Sequence, residues 1–165
     1  IDVKDDQLAA ARELGAAHTI DASDTDPVEA VHQLTDGGAH VSVDALGIAE
    51  TCLNSVSSLR KLGRHLQLGH TTPAEQGKVA LPIDDILLKE LRLFGAFGMQ
   101  GQRYGTMLDM VKAGRLEPGR VVSRTVNLDE ITAVASSSSQ QEPSQVDTTM
   151  TSPGRSASIA AISPA

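Results

Sequence analysis

Along residues 1–126, stretches carrying apolar side chains at the 3.6-residue period of a helix alternate with short β-branched runs of period two. That alternation leaves few arrangements open. A helix between two strands returns the chain to the same end of a sheet, so successive strands run parallel and the helices cover both faces. The expected fold class is therefore α/β, a doubly wound parallel sheet. With two Phe and one Tyr in 165 residues, its core has to be built from Leu, Val, Ile and Ala.

The elements follow in order. Residues 4–14 place Leu8, Ala11 and Leu14 on one helical face, with Asp5 and Asp6 at the electropositive end and Gly15 as the stop. Residues 18–21 read as a short strand. Asp26, Pro27 and Glu29 form the start signal of a second helix, whose stripe is Val28, Val31 and Leu34, before Asp36-Gly37-Gly38. "AHVSVDALG" predicts a strand over residues 39–45 that ends at Gly47. Cys52, Leu53, Val56, Leu59 and Leu62 keep the helical period over residues 48–62, and "RHLQLGH" supplies the next strand. A polar loop over residues 70–78 precedes a short helix from about Asp84 and a strand over residues 91–97. A helix over residues 101–116, a strand over residues 121–126 and a helix beginning at Asp129 complete the series.

After Ala135 the composition changes to "SSSSQQEPSQVDTTMTSPGRSASIAAISPA", poor in large apolar residues. Such a segment cannot bury enough surface to offset the entropy of ordering, so residues 135–165 are expected to be a disordered low-complexity tail. A formal net charge of −7 argues against a nucleic-acid or anionic-membrane partner, because both need clustered Lys and Arg. No apolar run approaches the roughly 18–20 residues that cross a bilayer, and a cytoplasmic location is the expectation. Cys52 is the one cysteine, and the five His lack metal-ligand spacing. No catalytic residue or metal ligand is assigned to the chain.

In open parallel sheets, small molecules bind where the strands end. An acid there, just before a helix, can accept hydrogen bonds from the two hydroxyls of an adenosine ribose and repel the extra phosphate of NADP, and Asp2 has that setting. Gly47, Gly69, Gly95 and Gly98 stand near the ends of successive strands. Singly each suits a turn, and together they would leave room for a flat ligand against backbone. His70 is adjacent to one of them.

The strings "DVKDDQLAAARELGAAHTIDAS", "DPVEAVHQLTDGGAHVSVDALG", "SVSSLRKLGRHLQLGHT" and "LRLFGAFGMQGQRYGTMLDMVKAGRLEPGRVVSRTVNLDE" resemble the zinc-type medium-chain alcohol dehydrogenases. The likeness covers residues 1–134 and implies a partial NAD-binding, Rossmann-type domain. It implies that Asp2 holds the adenosine ribose and that Ala45, Leu46 and Gly47 pass beside the adenosine half. Leu68, Gly69 and His70 would meet the nicotinamide through backbone groups, and Ala96, Phe97 and Gly98 would fix its carboxamide. It further implies an alcohol or aldehyde as substrate, hydride transfer to NAD, and a zinc ion held by an N-terminal catalytic domain outside these residues.

The family pattern places a first strand with a G-x-G-x-x-G turn just before Ile1, and a last helix and strand after "LDEITAV"; these residues contain neither. The expectation is a fragment, inactive alone, whose sheet lacks its first strand, exposes unpaired edges and is marginally stable or repacked. The tail suits either a natural extension or a changed reading frame. An apolar edge strand over residues 91–97 could join two copies into a homo-oligomer. A zinc-free quinone or enone reductase of the same superfamily, and a non-catalytic dinucleotide-binding module, remain alternatives.

Overall fold

The computed structural model describes residues 1–98, 100–122, 125–128 and 159–162. They fall into two compact units, one of residues 1–98 with 159–162 and one of residues 100–122 with 125–128.

In the first unit, β1 (Ala39–Asp44), β2 (Leu59–Gln67) and β3 (Arg92–Gly95) are mutually parallel, as the alternation predicts. The registers Asp44↔Gln67 and Gln67↔Gly95 bring the three strands to an end at one level. Three successive turns, residues 45–47, 68–70 and 96–98, therefore leave the sheet side by side. The edge of β1 away from β2 carries β4 (Ile159–Ile162) antiparallel, giving the order β3-β2-β1-β4. That edge was expected to be unpaired; its polar backbone groups are met instead by four residues from the span expected to be disordered. Residues 135–158 and 163–165 lie outside the described residues.

Around this sheet stand α1 (Asp5–Glu13), α2 (Pro27–Thr35), α3 (Ala49–Ser57) and α4 (Ile83–Leu88). The start of α2 is the one its sequence announces: Asp26 Oδ1 accepts from the amides of Val28 at 2.8 Å and Glu29 at 3.1 Å, with Pro27 in the first turn. Ile20, Val31, Ala39 and Leu59 form a buried cluster, flanked by Ile1, Ala30 and Leu91.

Several boundaries differ from the sequence reading. The helix expected over residues 48–62 stops at Ser57, and Leu59 already opens β2. Ser58 Oγ donates to the carbonyl of Asn54 at 2.6 Å, Leu59 drops into the core, and residues 60–63 form a bulge of β2 between the Ala39↔Leu59 and Val41↔Arg64 pairs. Leu62, at φ +61°, donates its amide to Lys89 O at 2.7 Å. The strand expected over residues 18–21 is a single parallel bridge between Asp2 and Asp21. The strand expected over residues 91–97 is confined to β3.

In the second unit, a 3₁₀ turn (Gly101–Arg103) leads into α5 (Tyr104–Lys112). The strand expected over residues 121–126 is absent among the described residues, because Pro118-Gly119 folds Pro118–Val121 into a 3₁₀ turn, closed by Val122 N donating to Gly119 O at 3.3 Å. The helix expected from Asp129 lies outside the described residues. No helix among the described residues is long and apolar enough to cross a membrane.

Candidate functional site

The common end of β1 and β2 is built around a buried carboxylate. Asp44 is fully buried, and its Oδ1 accepts from the amides of Leu46 (3.0 Å) and Gly47 (3.1 Å) and from Thr51 Oγ1 (3.1 Å) on α3. Its Oδ2 accepts from Gln67 Nε2 at 2.8 Å, and the same nitrogen donates to Gly69 O at 2.9 Å. Burying an ion is tolerable only when its lone pairs are this fully met. One acid thus fixes the turn of residues 45–47 and, through Gln67, the turn of residues 68–70.

With both donors of Gln67 so used, its Oε1 is left as an acceptor. It lies 3.0 Å from His65 Nε2, which must be the donor, and 3.4 Å from the thiol of Cys52. Ser42 and Ser55 hydroxyls face His65 Nδ1 at 3.2 and 3.0 Å. Burial, and then the charge of Asp44, push the Cys52 thiol up from its ordinary pKa, so it stays a thiol at neutral pH. Glu75 ties the next loop down. Its carboxylate accepts from the Thr72 hydroxyl and amide and from the Ala49 amide at the start of α3, and the Thr72 hydroxyl above all holds its pKa below the usual range.

The ten residues singled out by sequence sort into three places. Asp2 is buried at the Asp2–Asp21 bridge, and its Oδ1 accepts from the amides of Val3 at 2.8 Å and Lys4 at 3.1 Å, at the entrance to α1. Ala45, Leu46 and Gly47 touch the backbone of residues 68–70 directly: a Cβ on Gly47 would fall 2.0 Å from His70 O, and one on Gly69 would fall 2.4 Å from Gly47 N. These two glycines let two turns meet; they do not clear room for a ligand, which corrects the sequence reading of them. Gly95 and Gly98 do face open space, with nothing within 4 Å of an added Cβ. Leu68, Gly69, His70, Ala96 and Phe97 line one cavity of about 350 Å³, together with Gln67, Thr71 and Gly95. His70 and Phe97 pack edge to face there, ring centres 5.6 Å apart.

The sequence reading passed over Asp44, His65, Gln67 and Glu75. A signal existed for the first three. Ser42 and Asp44 on one strand, and His65 and Gln67 on the next, are polar residues two apart, which sets all four on one face of adjacent strands. Glu75 sits in an irregular loop and has no such periodicity.

The zinc-binding dehydrogenase family model matches residues 1–113. Over 124 residues, three quarters of this chain, the sequence is 30% identical to a Mycobacterium tuberculosis protein assigned as an alcohol dehydrogenase, of which it covers 34%. It is 30% identical over 132 residues to an NAD-dependent alcohol dehydrogenase of Sulfurisphaera tokodaii, covering 79% of this chain and 36% of the relative. The chain thus spans about a third of the length of the curated relatives it matches. A crystal structure of a Sinorhizobium meliloti 1021 protein, described as a zinc-binding dehydrogenase bound to NADP, superposes with a TM-score of 0.74 at 32% identity, over 88% of this chain and 41% of the other.

Proposed function

The chain belongs to the zinc-binding dehydrogenase family, and from that premise we propose that it is the dinucleotide-binding part of an NAD-dependent oxidoreductase that interconverts alcohols and aldehydes. The observation that carries this reading is the alignment of three parallel strand ends, with a cavity of about 350 Å³ between two of the turns that follow them. The open positions at Gly95 and Gly98 suit a flat ring lying against backbone. Nicotinamide, when bound, supplies a carbon that takes up or returns a hydride. The chain's own part is to hold it: amides and carbonyls of residues 68–70 and 96–98 orient the ring, and Asp2 takes the ribose hydroxyls. Among the described residues no three His, Cys, Asp or Glu side chains gather as a metal site needs; the zinc of this reading belongs to an N-terminal catalytic domain outside these residues. A second copy pairing along β3 is part of the same proposal.

Asp2 carries the choice of NAD over NADP. Its Oδ1 is held by two amides, so the carboxylate is fixed in direction, and a 2′-phosphate beside it would set like charges together. At about 4 Å such a pair costs roughly 1–4 kcal/mol, depending on exposure. Calorimetric titration of the chain with both dinucleotides is expected to show NAD binding about tenfold or more tightly. Asp2→Asn, which keeps an acceptor for the two amides, is expected to narrow that gap. Tighter binding of NADP by the unaltered chain would overturn the role of Asp2, and binding of neither would overturn the nucleotide site.

A further inference from the structure

We infer that Gln67 is the positioning residue of this site: its carboxamide couples the turn of residues 45–47 to that of residues 68–70, and so sets where the backbone groups that meet the dinucleotide stand. The inference rests on the dinucleotide-binding role proposed above. Its geometry is local, and it adds to the backbone bonds by which the Leu68 and Gly69 amides donate to Asp44 O at 2.9 and 3.0 Å. Nε2 bridges Asp44 Oδ2 and Gly69 O, at 2.8 and 2.9 Å, while Oε1 takes His65 Nε2 at 3.0 Å. Asp44 in turn holds the amides of Leu46 and Gly47 with its other oxygen, and Gly69 accepts no side chain because Gly47 lies against it. Gln67 also lines the cavity, between β2 and the turn it secures.

A shorter, charged or apolar side chain cannot replace this bridge. Met fills a similar volume but neither donates nor accepts strongly, so it leaves Asp44 Oδ2 and Gly69 O without their shared donor. Glu would set a second carboxylate against Asp44 and against a carbonyl, and is acceptable there only when protonated, with its O–H donated to Asp44 Oδ2.

Two measurements on the full chain test the assignment. In amide hydrogen exchange, Gln67→Met is expected to speed exchange at Leu46, Gly47 and Gly69 together by about tenfold or more, the effect of losing a hydrogen bond to a charged group, while the amides of α1 keep their rates. Exchange that changes at Gly69 alone, or at none, overturns the coupling. In titration with NAD, Gln67→Met is expected to bind about tenfold more weakly. Gln67→Glu is expected to bind more tightly when its carboxyl is protonated than when it is ionised, yet less tightly than the unaltered chain at any pH, because its single O–H meets Asp44 Oδ2 and leaves Gly69 O unmet; the unaltered chain shows no such dependence. A merely structural role would lower the urea midpoint of the Glu variant in step with its affinity, whereas the positioning role predicts that affinity falls more than stability does; affinity that only tracks stability, or a flat pH profile, would overturn the positioning role. If the unaltered chain bound no dinucleotide, the nucleotide site itself would fail, and the exchange measurement would still decide the coupling.

Discussion

At Gly69 a single added methyl group would lie 2.4 Å from Gly47 N and 2.5 Å from Leu46 C, and both are backbone atoms pinned by Asp44. No side chain can swing away to make room. Gly69→Ala is therefore expected to lower stability by about 3 kcal/mol, at the upper end of what overpacking costs. Gly95→Ala, with nothing within 4 Å of its added Cβ, is expected to change stability by less than about 0.5 kcal/mol. Urea unfolding of the two variants checks the contrast; equal losses would show that the two turns do not meet. From the sequence the positions of these glycines were legible, because glycine at a strand end marks a turn. The reason at each was not, since a turn meeting a turn and a turn meeting a ligand both demand a missing side chain. Asp44 and Gln67 were hidden for a related reason. Each is an ordinary polar residue in its own strand, and becomes a bridge only when the Asp44↔Gln67 register sets the two strands side by side.

Among the elements, α2 shows how far local chemistry alone reaches. Its cap and first-turn proline act without help from the rest of the fold, while Val31, five residues after the cap, is buried against Ile20, Ala39 and Leu59. Asp26→Ala removes the acceptor of two amides and is expected to cost about 1 kcal/mol, measured as a lowered urea midpoint with an unchanged slope. The junction of α3 and β2 shows the opposite. Leu59 and Leu62 continue the spacing of Cys52 and Val56, so the pattern reads as one helix, yet both belong to β2, Leu59 in its buried first position and Leu62 in its bulge. What ends the helix is distant in sequence. Lys89 Nζ donates to the carbonyls of Ser57 at 3.3 Å and Leu59 at 3.2 Å, and His32 Nε2 lies 3.1 Å from Ser57 O. Partners some 25 to 32 residues away cannot be seen in a window of one helix. The same limit hid β4, since the Ser-rich composition around Ile159 says nothing about an open edge on β1.

For the molecule as a whole, the unresolved balance lies at the other edge of the sheet. β1 has partners on both sides, whereas among the described residues β3 pairs only with β2. All four of its residues are exposed, Phe94 by 51%, and nearby in sequence α4 shows Ile83, Leu87 and Leu88 to solvent at 67–72%. Adjacent strand residues point to opposite faces, so the exposure of Leu93 (39%) and Phe94 (51%) leaves both faces of β3 open in part among the described residues. A row of unpaired amides and carbonyls beside apolar side chains is the surface that a second strand satisfies best, and charges on such an edge are the usual way to block it. A second copy related by a two-fold axis can offer the same edge in return, and this closes the assembly at two instead of propagating it. Sedimentation velocity over the micromolar range is therefore expected to show a concentration-dependent dimer. The double substitution Leu93→Lys with Phe94→Lys is expected to leave a monomer, because two ammonium groups per strand would face their copies across the axis. Dinucleotide affinity should follow the turns and not the edge, so the monomeric variant is expected to bind NAD as the unaltered chain does. A dimer that survives both substitutions would place the contact away from β3.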